Sequence, residues 1–478
     1  MVIRKQGGVM KRKSRKGKAD GFAYTAAAAA VALLLTGCSL VSSGSHTEVY
    51  LEQTLAQSQA AEENREAEGS QAAKESQAAE ENQAAEGGWE AEKNQGSEGS
   101  QAAEKGQVTG EDQRAEGNQS GGDGRHVVLN TENGQESGKE GTRDGAGSQE
   151  KESLAPGENP DGEVSLVFAG DILFDESYAI MASMNQRGKG IEGGISGDLL
   201  ERLRAADIFM VNNEFPYTDR GTPTAGKTFT FRAKPESASY LNDMGADLVS
   251  LANNHAYDYG EISLLDSLDT LNRLGIPYVG AGRNLEEASR PVYLTVDGLT
   301  IGFVAATQIE RMPSPDTKGA TETSAGVFRC LEIDGLLESV REAKENSDFV
   351  IAFVHWGTEG TDELDHWQLE QAPQIAEAGA DLIIGAHPHV LQPVGYCGSV
   401  PVVYSLGNFL FNSRTLDTCI VEAVVDENGL KSLQFVPALQ SGCWVSLAGG
   451  TEKERILQYM RDISPEASLD EEGYISGK

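Results

Sequence analysis

The sequence predicts an α/β fold that begins near residue 162 and is preceded by a disordered acidic tether. Three observations carry this reading. Apolar runs of about five residues alternate with helix-length amphipathic stretches, the pattern of parallel strands buried on both faces. Five such runs end in groups able to bind metal: Gly170-Asp171, Asn212-Asn213-Glu214, Asn253-Asn254-His255, His355-Trp356-Gly357 and Gly385-Ala386-His387-Pro388-His389. The first 160 residues lack this alternation altogether.

At the N-terminus, a basic segment from Met1 to Lys18 precedes an apolar stretch, Ala26 to Leu35. That stretch is shorter than the roughly 20 residues a spanning helix needs, and the arrangement is that of a secretory signal over residues 1–37. It ends Leu35-Thr36-Gly37-Cys38, which resembles the bacterial lipobox and makes Cys38 the lipidated first residue of the mature chain; the alternative is an uncleaved signal anchor. Residues 38–161 are rich in Glu, Gln, Gly, Ser and Ala and poor in β-branched and aromatic residues, so they bury too little apolar area to offset ordering entropy. Ser58 to Asn64 recurs at Ser76 to Asn82, but neither a solenoid period nor an apolar heptad stripe follows. The Ala, Glu and Gln content could form transient helix as an alternative, but a solvated, self-repelling tether fits best.

Between residues 162 and 448 the elements follow in order. Strands are expected at Glu163–Ala169, Asp207–Val211, Leu248–Leu251, Tyr278–Val279, Phe349–Val354 and Asp381–Gly385. Helices are expected at Glu176–Asn185, Gly197–Ala206, Glu236–Met244, Gly260–Leu274, Leu336–Glu345 and Asp365–Ala378. Pro291–Val296 and Leu299–Ala305 flank Asp297-Gly298 and form a hairpin, since this dipeptide accepts the positive φ of a tight turn. Val402–Leu406, Cys419–Val425 and Ser432–Val436 add further strands, and residues 449–478 form a C-terminal helix, Glu452–Arg461, and tail.

Ligands bind beyond the carboxyl ends of strands in α/β sheets, so the five motifs can converge. Carboxylate, amide carbonyl and imidazole together suit Zn²⁺, Mn²⁺ or Fe rather than thiolate-seeking metals. Four of the seven histidines lie in these motifs; His366 reads as a surface residue, and His46 and His126 lie in the tether. Arg232 and Lys234 are candidates to meet an anionic substrate, or are simply solvated. Cys330, Cys397, Cys419 and Cys443 have no CxxC spacing and read as buried thiols or as one or two disulfides. The net charge of −35 resides partly in the tether and argues against nucleic acid as a partner.

The motifs above, together with Tyr404-Ser405-Leu406-Gly407-Asn408-Phe409, resemble the CapA family of bacterial capsule synthesis proteins over nearly all of Ser165 to Phe411. That family is similar to the calcineurin-like metallophosphoesterases, which implies a β-sandwich flanked by helices. The resemblance further implies that Asp171, Glu214, Asn254, His355, His387 and His389 hold one or two divalent ions, with Glu214 as the bridging carboxylate and His255 facing the leaving group. Two residues depart from the phosphoesterase pattern: Leu173 stands at the place of a usual His ligand, and Glu214 replaces the usual bridging Asp.

Two functions are carried forward. One is a metal-dependent hydrolase, anchored through Cys38 on the extracytoplasmic face of the membrane and acting on phosphoesters or capsular polymer. The other is a non-catalytic factor for poly-γ-glutamate synthesis or export, working with membrane proteins of capsule synthesis and using its metal structurally or to bind polymer.

Overall fold

Alternate residues of the buried strands face two different apolar layers, and this double burial sets the architecture. The computed structural model describes residues 128–129, 162–309 and 318–478. The signal segment, Cys38, nearly all of the tether including His46 and His126, and residues 310–317 lie outside the described residues.

In chain order the main elements are β1 (Val164–Ile172), α1 (Ala179–Arg187), α2 (Gly197–Ala205), β2 (Ile208–Asn213), α3 (Ser239–Met244), β3 (Leu248–Ser250), α4 (Glu261–Leu274) and β4 (Tyr278–Val279). There follow α5 (Leu285–Ser289), β5 (Val292–Val296), β6 (Leu299–Thr307), α6 (Asp334–Asn346), β7 (Phe349–His355), α7 (His366–Ala378) and β8 (Leu382–Ala386). The last are β9 (Val394–Cys397), β10 (Val400–Val403), β11 (Asn408–Leu410), β12 (Leu416–Asp426), β13 (Gly429–Gln440), β14 (Val445–Leu447) and α8 (Gly450–Ile463).

Two mixed sheets result. The first runs β14-β13-β12-β1-β2-β3-β4, with β11 also paired to β1. The second runs β5-β6-β7-β8-β10-β9, with the short strand Val128–Leu129 outside β5. Within them β1 to β4 are parallel, and so are β6, β7, β8 and β10.

Leu166, Phe168, Met210, Phe303, Ile351, Phe353 and Ile384 fill the layer between the sheets. Their neighbours point the other way. Val167, Ala169, Phe209 and Val211 pack with Met184, Leu203 and Leu268 of the helices, while Val350, Ala352 and Val354 pack with Leu336, Val340 and Ile375. The outcome is a β-sandwich flanked by helices, as the resemblance implies. Residues of the tail, Ile456, Leu457, Met460 and Ile475, join the inter-sheet cluster.

Four aspartates stand just before strands and cap their neighbours. Asp207 accepts the N–H of Ser165 (2.9 Å), Asp247 that of Phe209 (2.9 Å), Asp348 that of Thr300 (2.8 Å) and Asp381 that of Val350 (2.8 Å). Each satisfies a strand-end donor that the ladder leaves open. Asp207 and Asp381 therefore precede β2 and β8 instead of opening them.

Helix boundaries differ from expectation where side chains intervene. Helix α1 starts at Ala179 rather than Glu176, because the Asp175 carboxylate accepts the Ser177 N–H (2.8 Å) in a turn and also holds the Arg232 N–H (2.9 Å). The expected helix Glu236–Met244 divides into a 3-10 turn, Pro235–Ala238, and α3. Helix α5 was unforeseen; Asn284 caps it by accepting the Glu287 N–H at 2.9 Å. The cysteines Cys330, Cys397, Cys419 and Cys443 are all free thiols.

Candidate metal centre

The two sheets present their carboxyl ends side by side and contribute different chemistry. From the first sheet come oxygen donors: Asp171 near the end of β1, Glu214 just after β2 and Asn254 after β3. From the second come imidazoles: His355 closes β7, and His387 and His389 follow β8.

Close backbone approach makes this possible. A Cβ at Gly170 would lie 1.9 Å from the carbonyl oxygen of Gly407, and one at Gly385 would lie 1.9 Å from that of Tyr404. Both positions therefore require glycine. The Gly407 contact brings β11 beside β1, in register Asn408 to Asp171, so that Asn408 Oδ1 reaches His389 Nδ1 at 2.9 Å. His387 and His389 adopt φ of 101° and 59°. Such conformations cost a non-glycine residue about 1–3 kcal/mol and concentrate at functional sites.

The side chains meet in two sets. Asp171, Glu214 and His389 offer donor atoms within 4.8 Å of one another, and so do Glu214, His355 and His387. Glu214 belongs to both sets. Its Oε1 is 3.4 Å from His355 Nε2 and 4.0 Å from His389 Nε2. Asn254 Oδ1 lies 2.8 Å from His355 Nε2, which is 3.0 Å from His387 Nδ1. His389 Nδ1 is 3.0 Å from Asp171 Oδ2, while Asn212 donates to Asp171 Oδ1 at 2.7 Å.

Neither oxygen of the fully buried Glu214 carboxylate accepts a hydrogen bond. A buried anionic oxygen without partners is strongly disfavoured, and a divalent cation would supply the missing partner. Asp171, Glu214, Asn254, His355, His387 and His389 have the donor chemistry to hold one or two such ions. The donor set contains no thiolate and matches Zn²⁺, Mn²⁺ or Fe.

Titration follows the same division. Burial, then the Asp171 charge, pushes the Glu214 carboxyl well above the usual range. Burial would also raise Asp171, but the hydrogen bond and charge of His389 outweigh it and hold Asp171 low. Burial opposes charge on His389, yet Glu214 and Asp171 overcome this and raise it to about 10. Burial lowers His355 to about 3, leaving a neutral imidazole suited to ligation.

His255 stands beside the cluster. Its Nδ1 is 2.7 Å from Asp258 Oδ2, and its ring lies 4.3 Å from that of Phe231. Burial holds its pKa below the usual value despite Asp258. Phe411 packs on Phe231 at 5.6 Å and on His389 at 4.9 Å, so two phenylalanines wall one side of the histidines.

Several residues here were not singled out from sequence. Asp258 accepts from His255, from the Phe231 N–H (2.7 Å) and from Lys227 Nζ (2.6 Å), and Lys227 also donates to the backbone carbonyl of Asn254. The available signal was the three-residue spacing from His255 to Asp258. Glu359, four residues after His355, groups with His387 and His389. Arg232 instead lies over the Tyr259 ring at 4.5 Å and Lys234 is exposed. Among the described residues, no ion pair or hydrogen bond joins either side chain to the cluster. Leu173 is buried in the helix-side apolar cluster, and His366 is exposed at the start of α7.

The chain is 32% identical over 240 residues to the PGA biosynthesis protein CapA of Bacillus subtilis (strain 168), covering 49% of this chain and 62% of that protein. It is 29% identical over 341 residues to the capsule biosynthesis protein CapA of Bacillus anthracis, covering 67% and 79%. The first match thus spans less than two thirds of the relative's length. Among solved structures, the 5'-nucleotidase from Candida albicans SC5314 aligns with 57% of this chain and 51% of its own, at 11% identity and a TM-score of 0.32. Residues 165–413, more than half of the chain, match the family model described as bacterial capsule synthesis protein PGA_cap, and the chain belongs to that family.

Proposed function

We propose that this protein acts in the synthesis or export of capsular poly-γ-glutamate as a metal-dependent hydrolase of phosphoesterase type. In this reading Cys38 carries the lipid that anchors it to the extracytoplasmic face of the bacterial membrane, and capsular polymer or a phosphoester is the substrate. Family membership and the names of the two relatives support the process. The observation that carries the chemistry is Glu214, a buried carboxylate shared by two donor sets and without hydrogen bonds to either oxygen.

Divalent cations supply charge stabilisation for hydrolysis when bound in such a site. The chain's own groups do the rest. Asp171, Glu214, Asn254, His355, His387 and His389 hold the ions. The neutral His255 ring donates from Nδ1 to Asp258 and keeps Nε2 as an acceptor, so it takes up a proton there before delivering one to a leaving oxygen. Phe231 and Phe411 exclude water from one side of the histidines.

A second reading is a non-catalytic assembly or polymer-binding factor. It is favoured by Leu173, which is packed in the core where a phosphoesterase carries a further His ligand. Metal content and phosphodiester and γ-glutamyl polymer hydrolysis, measured on wild type, His387→Ala and Glu214→Ala, separate the two. Bound metal with metal-dependent turnover, lost in both variants, supports the enzyme; bound metal without turnover supports the assembly factor. Wild-type protein that takes up no divalent metal would sink both.

A further inference from the structure

The loop after β7 carries a carboxylate outside the two donor sets that share Glu214; with His387 and His389 it forms a third. Glu359 Oε1 stands 4.0 Å from His387 Nε2 on a side chain 45% exposed. An exposed glutamate ordinarily samples many rotamers, and fixing it costs about 1.5–2 kcal/mol. Here the backbone beneath it is clamped. The Gly360 N–H donates to the carbonyl of Pro388 at 2.9 Å, tying the loop to the residue between the two histidines. Fully buried Gln392 donates to the carbonyls of Thr361 and Glu363, both at 3.2 Å, and accepts from Gln368 at 2.8 Å. Gln368 is fixed in turn by its reciprocal cap with Asp365 at the start of α7. A chain of buried amides therefore holds an exposed carboxylate over His387.

The two nitrogens of His387 face different surroundings. Nδ1 is 3.0 Å from His355 Nε2, inside the cluster, whereas Nε2 faces Glu359. The positive φ of His387 aims the ring this way at a cost in backbone strain. A histidine that ligates through one nitrogen generally gives its other N–H to a carboxylate, carbonyl or water, which sets the tautomer and raises ligand basicity.

We propose that Glu359 is a positioning residue for His387: its carboxylate accepts the Nε2–H and so keeps the Nδ1 lone pair turned toward Glu214 and His355. This rests on the reading that the cluster holds a divalent cation.

The test uses the full-length chain as wild type, Glu359→Ala, Glu359→Asp and His387→Ala. Mn²⁺ and Zn²⁺ affinity is measured by chelator competition, alongside the absorption bands of the Co²⁺-loaded protein and the Tm of the metal-free form. Glu359→Ala is expected to weaken affinity about 10- to 100-fold, shift the Co²⁺ bands and leave stoichiometry and metal-free Tm unchanged. Glu359→Asp restores part of the affinity, and His387→Ala loses a cation. Wild-type affinity and bands in Glu359→Ala, with a cation lost in His387→Ala, would overturn the role of Glu359 and leave the cluster standing. A fall in metal-free Tm that accounts for the weaker binding would also overturn it, by reducing Glu359 to loop stability. Unchanged binding in His387→Ala would remove the metal-centre reading itself.

Discussion

Oε1 of Glu214 lies 3.4 Å from Nε2 of His355, both side chains fully buried, yet no hydrogen bond reaches either carboxylate oxygen. The metal-free protein thus carries an unsatisfied group at the join of its two sheets. Glu214→Gln removes the ionisable carboxyl at nearly the same volume. Its metal-free form should be more stable than wild type by roughly 1–3 kcal/mol, and the rise in Tm that Mn²⁺ or Zn²⁺ gives wild type should disappear. Calorimetry with and without metal checks both, and a less stable metal-free variant would contradict the account.

Strain at His387 makes a second prediction. Alanine and glycine at position 387 both delete the imidazole and should both weaken metal binding. They differ in the metal-free state, because glycine adopts a φ of 101° readily and alanine does not. His387→Gly should exceed His387→Ala by roughly 1 kcal/mol in urea denaturation, and the reverse order would mean that the conformation is unstrained.

The Asp258 clamp is asymmetric. Asp258→Ala removes the counter-charge of the buried Lys227 ammonium and frees the His255 Nδ1 and the Phe231 N–H, so about 3–5 kcal/mol of stability should be lost. Lys227→Met leaves Asp258 two donors and should cost less. Equal losses on chemical denaturation would show that Asp258 does not act as the hub.

Asp247 gives a pH dependence remote from the cluster. Burial, reinforced by the Asp207 charge and opposed by the Phe209 N–H, raises its pKa from 3.8 to about 6. The folded state therefore keeps its proton to higher pH than the unfolded chain, and stability falls as pH rises from about 4 to about 6. Asp247→Asn retains an acceptor for Phe209 without the charge. The Tm difference, variant minus wild type, should be near zero at pH 4 and reach a few degrees above pH 6. A difference independent of pH would refute the shift.

Much of the centre was legible because each motif follows an apolar run. Phe349 to Val354 and Asp381 to Gly385 announce strands by composition, and the histidines at their ends inherit a position from the strand. Glu359, Lys227 and Asp258 had no such frame. They lie in loops, where no periodicity marks a side chain's direction, and most of their partners come from other segments. Arg232 and Lys234 drew attention as cations near a motif, whereas it is Lys227 that the fold buries against Asp258.

By itself the sequence determined the strands that carry the motifs, the donor types and the glycines that admit close approach, since composition and steric demand are local properties. Only the tertiary structure decided that oxygen donors come from one sheet and imidazoles from the other, and that Glu214 falls between them. Those relationships join residues as distant as Asp171 and His389, 218 positions apart. No local preference specifies such a contact, because packing two twisted sheets over a shared core brings those strand ends together.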